Sequence, residues 1–162
     1  MEKIESFKVN HELLKRGIYV SRKDYDNKTN DVIATTFDIR MKEPNREPVI
    51  NMAELHTIEH LGATFLRNHP IYKNETIYFG PMGCRTGFYV ILKGDLESKD
   101  VIELMKEMFL FISQYEGEIP GADPVSCGNY LDQNLNMAKY ESKKFYKEIL
   151  NNIKEENLIY PD

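Results

Sequence analysis

Hydrophobic and polar residues alternate in short segments of this chain, which predicts β-strands. Between residues 33 and 41, Ile33, Thr35, Phe37, Ile39 and Met41 occupy every second position, the spacing of a strand with one buried face. Residues 17–22 and 88–92 are two further short candidates, and a polar, turn-forming segment at 24–31 separates the first strand from the second.

Three longer segments have helical spacing instead. In residues 52–68, apolar side chains recur mostly three or four positions apart, and His69-Pro70 ends the pattern because the residue before proline disfavours helical dihedrals. Residues 100–115 predict a second helix with Asp100 as its cap, and residues 134–152 a third. Short strands separated by turns, with few helices, favour an α+β fold: an antiparallel sheet with helices packed on one face, in one domain of residues 1–162.

Composition and charge exclude several classes of protein. The 162 residues are 41% hydrophobic with no apolar run of about 18 residues, so no membrane span is expected. The N-terminal residues lack the apolar stretch of a secretory signal, which predicts a cytoplasmic protein. A net charge of −5 argues against a dedicated nucleic-acid binder. In a reducing compartment, a disulfide between the two cysteines is not expected.

The first candidate for a chemical function is a pair of histidines in the segment 52–68. His56 and His60 are four residues apart and therefore project from one face of the predicted helix, with Glu59 beside them. This His-x-x-Glu-His order can hold a divalent metal. A catalytic site needs a third ligand, and Cys84, Cys127 or a carboxylate would suit zinc, iron or cobalt; the spacing leaves that choice open. The competing interpretation is an exposed helix face with two unrelated histidines.

Both cysteines lie in loops that could carry chemistry. Cys84 is flanked by Gly83 and followed by Arg85, whose charge would favour a reactive thiolate if it pointed inward. Cys127 precedes the third predicted helix in a similar loop. Position alone does not decide which cysteine is the ligand and which is the nucleophile or proton carrier.

The motifs taken together resemble those of the S-ribosylhomocysteine lyase (LuxS) family, and the likeness spans nearly the whole chain. The matching elements are Glu5-Ser6-Phe7 with His11, Phe37-Asp38-Ile39-Arg40 with Glu43-Pro44-Asn45, His56-Thr57-Ile58-Glu59-His60-Leu61, Pro81 to Tyr89, Cys127-Gly128-Asn129-Tyr130 and Ala138-Lys139. The His-x-x-Glu-His element is moderately specific by itself. In this order with Pro-Met-Gly-Cys and Cys-Gly it is highly specific.

The resemblance implies a metal-dependent lyase. S-ribosylhomocysteine would be cleaved to homocysteine and 4,5-dihydroxy-2,3-pentanedione, the precursor of the quorum-sensing signal autoinducer-2, by carbonyl migration and β-elimination. It implies that His56, His60 and Cys127 hold the metal, which would be Fe²⁺ natively and replaceable by Zn²⁺ or Co²⁺. Cys84 would be the acid–base residue and Glu59 a second proton carrier.

The resemblance also implies a homodimer with its two sites at the subunit interface. The implied substrate-binding residues are Ser6, Phe7, His11, Arg40 and Arg67. Without the resemblance, a surface position is the usual interpretation of Arg40, and for His11 an ordinary surface or capping histidine carries about the same weight as a functional one. Two alternatives from the same metal motif are a small metallopeptidase with Glu59 as its base, and a non-catalytic domain with a closed, structural four-ligand site.

Overall fold

A four-stranded antiparallel sheet forms the centre of the fold. The structure, a computed structural model, describes residue 2 and residues 4–161. The strands are β1 (Gly17–Tyr25), β2 (Val32–Arg40), β3 (Thr76–Pro81) and β4 (Gly87–Lys93), in the spatial order β1-β2-β4-β3. Each neighbouring pair is antiparallel, as the sequence predicted.

The strand that the pattern did not predict is β3, at the edge of the sheet. Gly80 and Pro81 end it, and both residues are usual signals against a strand; at an edge a proline is tolerated because it need not donate to the ladder. A tight turn joins β3 to β4, with the backbone N–H of Met82 donating to Gly87 at 2.9 Å. Gly87 is also the first residue of β4, and a Cβ on it would lie only 2.0 Å from the carbonyl oxygen of Ile39 on β2. The β2–β4 pairing therefore requires glycine here.

The helices are α1 (Glu5–Lys8), α2 (Met52–Asn68), α3 (Ile102–Gln114) and α4 (Leu135–Glu148). The bounds of α2 are those predicted, and a capping box between Asn51 and Glu54 begins it.

The beginning of α3 and the end of α4 differ from the prediction. Asp100 does not cap α3: its carboxylate accepts the backbone N–H of Glu97 at 2.7 Å, so it is the third residue of a 3-10 turn, Ser98–Val101, that precedes the helix. Helix α4 stops at Glu148, and a separate 3-10 turn, Leu150–Asn152, follows. Helical spacing continues through such short turns, which is why the pattern overestimated both lengths.

The core lies between one face of the sheet and helices α2, α3 and α4, which confirms an α+β fold with an antiparallel sheet and helices. Its largest contributors are Phe37, Ile39, Phe88, Val90, Leu55, Ile58, Leu61, Met105, Met108, Phe109 and Phe145. The opposite, open face of the sheet carries the alternate residues of the same strands. Among the residues described, no helix has the length and apolar character needed to cross a bilayer.

Candidate metal centre and thiol cleft

Helix α2 and a distant loop bring three metal-binding side chains together. The Nε2 atoms of His56 and His60 are 3.0 Å apart, one turn from each other on α2. The sulfur of Cys127 lies 3.4 Å from His56 Nε2, and all three donor atoms lie within 4.8 Å of one another. Cys127, rather than Cys84, is thus the cysteine that lies beside the histidine pair.

Backbone carbonyls orient both imidazoles and favour one tautomer of each. His56 Nδ1 is 2.9 Å from the carbonyl oxygen of Asp132, and His60 Nδ1 is 2.8 Å from that of Pro120. A carbonyl only accepts, so His60 Nδ1 donates and its Nε2 presents a lone pair. At His56 the carbonyl at 2.9 Å is closer to Nδ1 than the amide nitrogen of Gln133 at 3.3 Å, which favours the same tautomer. Two lone pairs 3.0 Å apart beside a sulfur repel one another unless a cation lies between them. The donor set therefore fits a divalent metal ion.

The loop that supplies Cys127 is held by its own hydrogen bonds. The carboxylate of Asp123 accepts hydrogen bonds from the backbone N–H groups of Val125 and Ser126, each at 2.9 Å. The backbone carbonyl of Asp123 accepts a hydrogen bond from the N–H of Cys127 at 3.0 Å. Hydrogen bonds from Ser126, and then from Val125, keep the pKa of Asp123 below its usual range. The N–H of Asn129 points at the Cys127 sulfur at 3.4 Å. These contacts place the sulfur before any metal binds.

A glycine allows the same loop to reach His60. Gly121 has φ +70°, a left-handed conformation that side chains with a Cβ rarely adopt, and it directly follows the Pro120 carbonyl that orients the imidazole. A Cβ at this position would lie 3.4 Å from His60 Nδ1.

Glu59 lies beside His60 on α2. Its side chain is half-buried and, within the part of the chain that the structure describes, it makes no hydrogen bond or ion pair. No described residue therefore competes for its carboxylate, which is what a proton carrier requires.

Cys84 lies in a separate cleft at the end of the sheet. The cleft has a volume of about 270 Å³ and is lined by His11, Arg40, Pro44, Asn45, Glu47, Val49, Cys84 and Thr86. The cysteine is exposed, as a reactive thiol must be. Two of the predicted substrate-binding residues, His11 and Arg40, thus share the cleft with the predicted acid–base cysteine.

The cation in contact with the Cys84 sulfur is Arg40, and no such contact is found for Arg85 among the described residues. Arg40 is 4% exposed, so its interpretation as a surface residue is wrong, and its Nη1 lies 4.0 Å from the Cys84 sulfur. Arg85 follows Cys84 in the chain, but its backbone is left-handed, with φ +61°, and its side chain forms no ion pair with any described residue. The cationic group that contacts the sulfur thus comes from the end of β2, and not from the residue that follows Cys84 in the chain.

A buried network holds Arg40 in place. Its Nη2 forms an ion pair with Asp38, and the hydroxyl of Tyr160 donates to the same carboxylate oxygen at 2.8 Å. Burial lowers the pKa of Arg40, but Asp38 and Cys84 raise it by more, so the guanidinium stays charged. Burial and Asp38 raise the pKa of Tyr160, which keeps the phenol protonated as a donor. Asp38 and Tyr160 were not among the predicted site residues; only the strand alternation, which puts Asp38 beside Arg40, could have indicated the first.

The remaining predicted substrate-binding residues lie elsewhere in this chain. Ser6 lines a second cavity of about 270 Å³, on the open face of the sheet. Phe7 is 68% exposed on α1. Arg67 donates to the backbone carbonyls of Thr76 and Ile77, at 2.7 and 2.8 Å, and so ties α2 to the edge strand β3.

The metal-binding cluster and the thiol cleft are also separate from each other. Within the described ranges, no hydrogen bond, ion pair or ring contact joins His56, His60 or Cys127 to the residues around Cys84. A single chain therefore presents two groups of reactive side chains that do not touch.

Comparison with known proteins gives matches over the full length. The family model described as S-Ribosylhomocysteinase (LuxS) matches residues 4–156. Three similar proteins are the S-ribosylhomocysteine lyases of Finegoldia magna, Clostridium acetobutylicum and Porphyromonas gingivalis, which are 64%, 62% and 60% identical to this chain. Each of these alignments covers 162 residues, all of this chain and all of the relative.

Proposed function

The chain belongs to the S-ribosylhomocysteinase (LuxS) family, and on that premise we propose that it is an S-ribosylhomocysteine lyase. The thioether of the substrate cannot leave directly, because no group stabilises a carbanion beside it. The sugar carbonyl first migrates from the first carbon to the third. The proton on the fourth carbon is then acidic, and the sulfur on the fifth leaves by β-elimination as homocysteine, with 4,5-dihydroxy-2,3-pentanedione as the second product.

The observation that carries this proposal is the convergence of two imidazole lone pairs and a sulfur. His56, His60 and Cys127 would hold the metal, leaving a coordination position for the sugar. A bound divalent ion, which we propose to be Fe²⁺ with Zn²⁺ or Co²⁺ as substitutes, supplies Lewis acidity toward the carbonyl and hydroxyl oxygens of the sugar. The carbonyls of Asp132 and Pro120 support this role because they favour the tautomers whose Nε2 atoms are free of protons.

Each carbonyl migration also needs a base that removes a proton from carbon and returns it to the neighbouring carbon. We assign this step to Cys84, which is exposed in the cleft and lies near the permanently charged Arg40. Glu59 would carry protons between sugar oxygens, since its half-buried carboxylate has no partner in the described part of the chain.

These roles require the cleft and the metal to meet, and we propose that they meet across a homodimer. The cleft of one copy would face the metal cluster of the other. Two observations support this: the groups do not touch within one chain, and the open face of the sheet carries an uncovered groove. That groove is lined by Ile4, Tyr78, Tyr89 and Ile91, and Ile4 and Tyr78 are exposed. Exposed apolar surface of this kind is typical of an interface.

The direct test is thiol release from S-ribosylhomocysteine by the purified protein, measured with a chromogenic thiol reagent and with the metal content determined in parallel. We expect stoichiometric metal and steady release by the wild type. Cys84→Ser should keep the metal and lose the release. Retained release by a metal-loaded Cys84→Ser protein would contradict the assignment of Cys84 as the base.

A further inference from the structure

We propose that Thr86 is a positioning residue for Cys84, because its hydroxyl links the charge of Arg40 to the sulfur. The hydroxyl would donate a hydrogen bond to the sulfur, and such a bond is stronger to a thiolate than to a thiol. This inference rests on the proposed function only in so far as Cys84 serves there as a proton carrier.

The chemistry of the guanidinium fixes the direction of the first hydrogen bond, and we infer that the hydroxyl is the donor in the second. Arg40 Nη1 is 2.6 Å from Thr86 Oγ1, and Thr86 Oγ1 is 3.1 Å from the Cys84 sulfur. A guanidinium only donates, so the hydroxyl accepts from Arg40 and keeps its own hydrogen for another acceptor. The sulfur is the other polar side-chain atom bonded to that hydroxyl in the described part of the chain, and an ionised sulfur is the better acceptor.

The direct contact between Arg40 and the sulfur is too long to replace this bridge. At 4.0 Å it is an electrostatic contact, whereas both bonds through the threonine are short. Donation from Arg40 polarises the hydroxyl and strengthens its own donation to sulfur. Thr86 therefore transmits part of the cationic charge over a distance at which the guanidinium does not hydrogen-bond well.

The threonine is fixed on both sides, so the bridge is formed in advance. Thr86 is 5% exposed, and its carbonyl accepts the backbone N–H groups of Met41 and Lys42, each at 2.9 Å. On the other side, Asp38 holds the guanidinium of Arg40.

Other titratable groups face the sulfur without bonding to it. His11 comes from the N-terminal segment and Glu47 from the loop before α2, and both line the cleft. Tyr89 on β4 lies within electrostatic range of Cys84. None of the three forms a hydrogen bond with the Cys84 sulfur in the described residues, so their charges are a common background for every variant at position 86.

The test measures how fast iodoacetamide alkylates Cys84 as a function of pH, read by mass spectrometry on the tryptic peptide that contains it so that Cys127 does not interfere. Thr86→Val has nearly the same shape but no hydroxyl. We expect alkylation near neutral pH to slow about tenfold, and the midpoint of its pH profile to rise by about one pH unit, the effect of losing one hydrogen bond to a charged group. Thr86→Ser should restore the wild-type profile.

The matched control is Thr36→Val, since Thr36 is also buried and its hydroxyl has no partner among the described residues. Its profile should equal that of the wild type. An unchanged profile for Thr86→Val, or an equal shift in the control, would overturn the proposal. If Thr86→Val does not fold, Thr86→Ala is measured in its place against the same criterion. Alkylation is read without substrate, so its outcome is separate from that of the thiol-release assay.

Discussion

Two inactive variants should restore activity when they are combined in one dimer. Cys84→Ala removes the proposed base but leaves the metal cluster intact. His60→Ala removes a metal ligand but leaves the thiol cleft intact. Because the cleft and the cluster do not touch within one chain, we propose that each site takes its cleft from one copy and its metal from the other.

The expected activity of a mixed dimer follows from the number of complete sites that it contains. In a mixed dimer, one site combines the altered cleft with the altered cluster, and the other site combines the two intact halves. Mixed dimers should therefore have about half the wild-type activity per dimer, whereas each parent has essentially none. If both halves came from the same chain, neither site of the mixed dimer would be complete.

The assay needs mixed dimers free of the parents. Co-expression with two different affinity tags and sequential purification on both isolates them, and release of homocysteine thiol measures their activity. Doubly tagged dimers that carry Cys84→Ala in both copies control for tag effects. Mixed dimers as inactive as their parents would refute the shared site, and so would a fully active monomer.

Two further variants test contacts that support the two halves of the site. Gly121→Ala should weaken metal binding about tenfold in a chelator competition, because it strains a left-handed backbone and places a methyl group 3.4 Å from His60 Nδ1; Gly117→Ala, with φ +105° but open space around it, should leave metal affinity unchanged. Tyr160→Phe removes a 2.8 Å hydrogen bond to a buried carboxylate and should lower the free energy of unfolding in urea by about 2 kcal/mol. Tyr140→Phe, at an exposed position, should change it by much less, and equal losses would contradict this reasoning.

The sequence predicted those parts of the site that depend on local spacing. His56 and His60 lie one helical turn apart, and any helix over 52–68 brings them together. The third ligand comes from a loop 71 residues away from His56 along the chain. The spacing of apolar and polar residues carries no information about contacts between such distant segments. Spacing therefore left Cys84 and Cys127 as equal candidates. The family resemblance implied Cys127, and the folded chain places its sulfur beside the histidines.

The same limit applies to the burial of Arg40, which the strand pattern could not indicate. Strand alternation correctly puts it on the face opposite the core, and that face is normally exposed to solvent. Here the C-terminal segment returns over it, and Tyr160 reaches Asp38 from 122 residues further along the chain. Strand β3 was missed for a different reason, since its Gly80-Pro81 ending is tolerated only because the strand lies at an edge of the sheet.

The separation of the two cysteines within one chain bears on why the proposed site can be catalytic at all. Two histidines and two thiolates on one cation would form a closed tetrahedral site, the arrangement of structural zinc, with no position left for a sugar. An ionised Cys84 free to approach the metal would favour that closed state. In the proposed dimer, Arg40 and Thr86 hold the sulfur in its own cleft, on a rigid strand end, while Cys127 completes the metal cluster on the other copy. In that dimer, the network around Arg40 would therefore also keep the Cys84 thiol from becoming a fourth ligand.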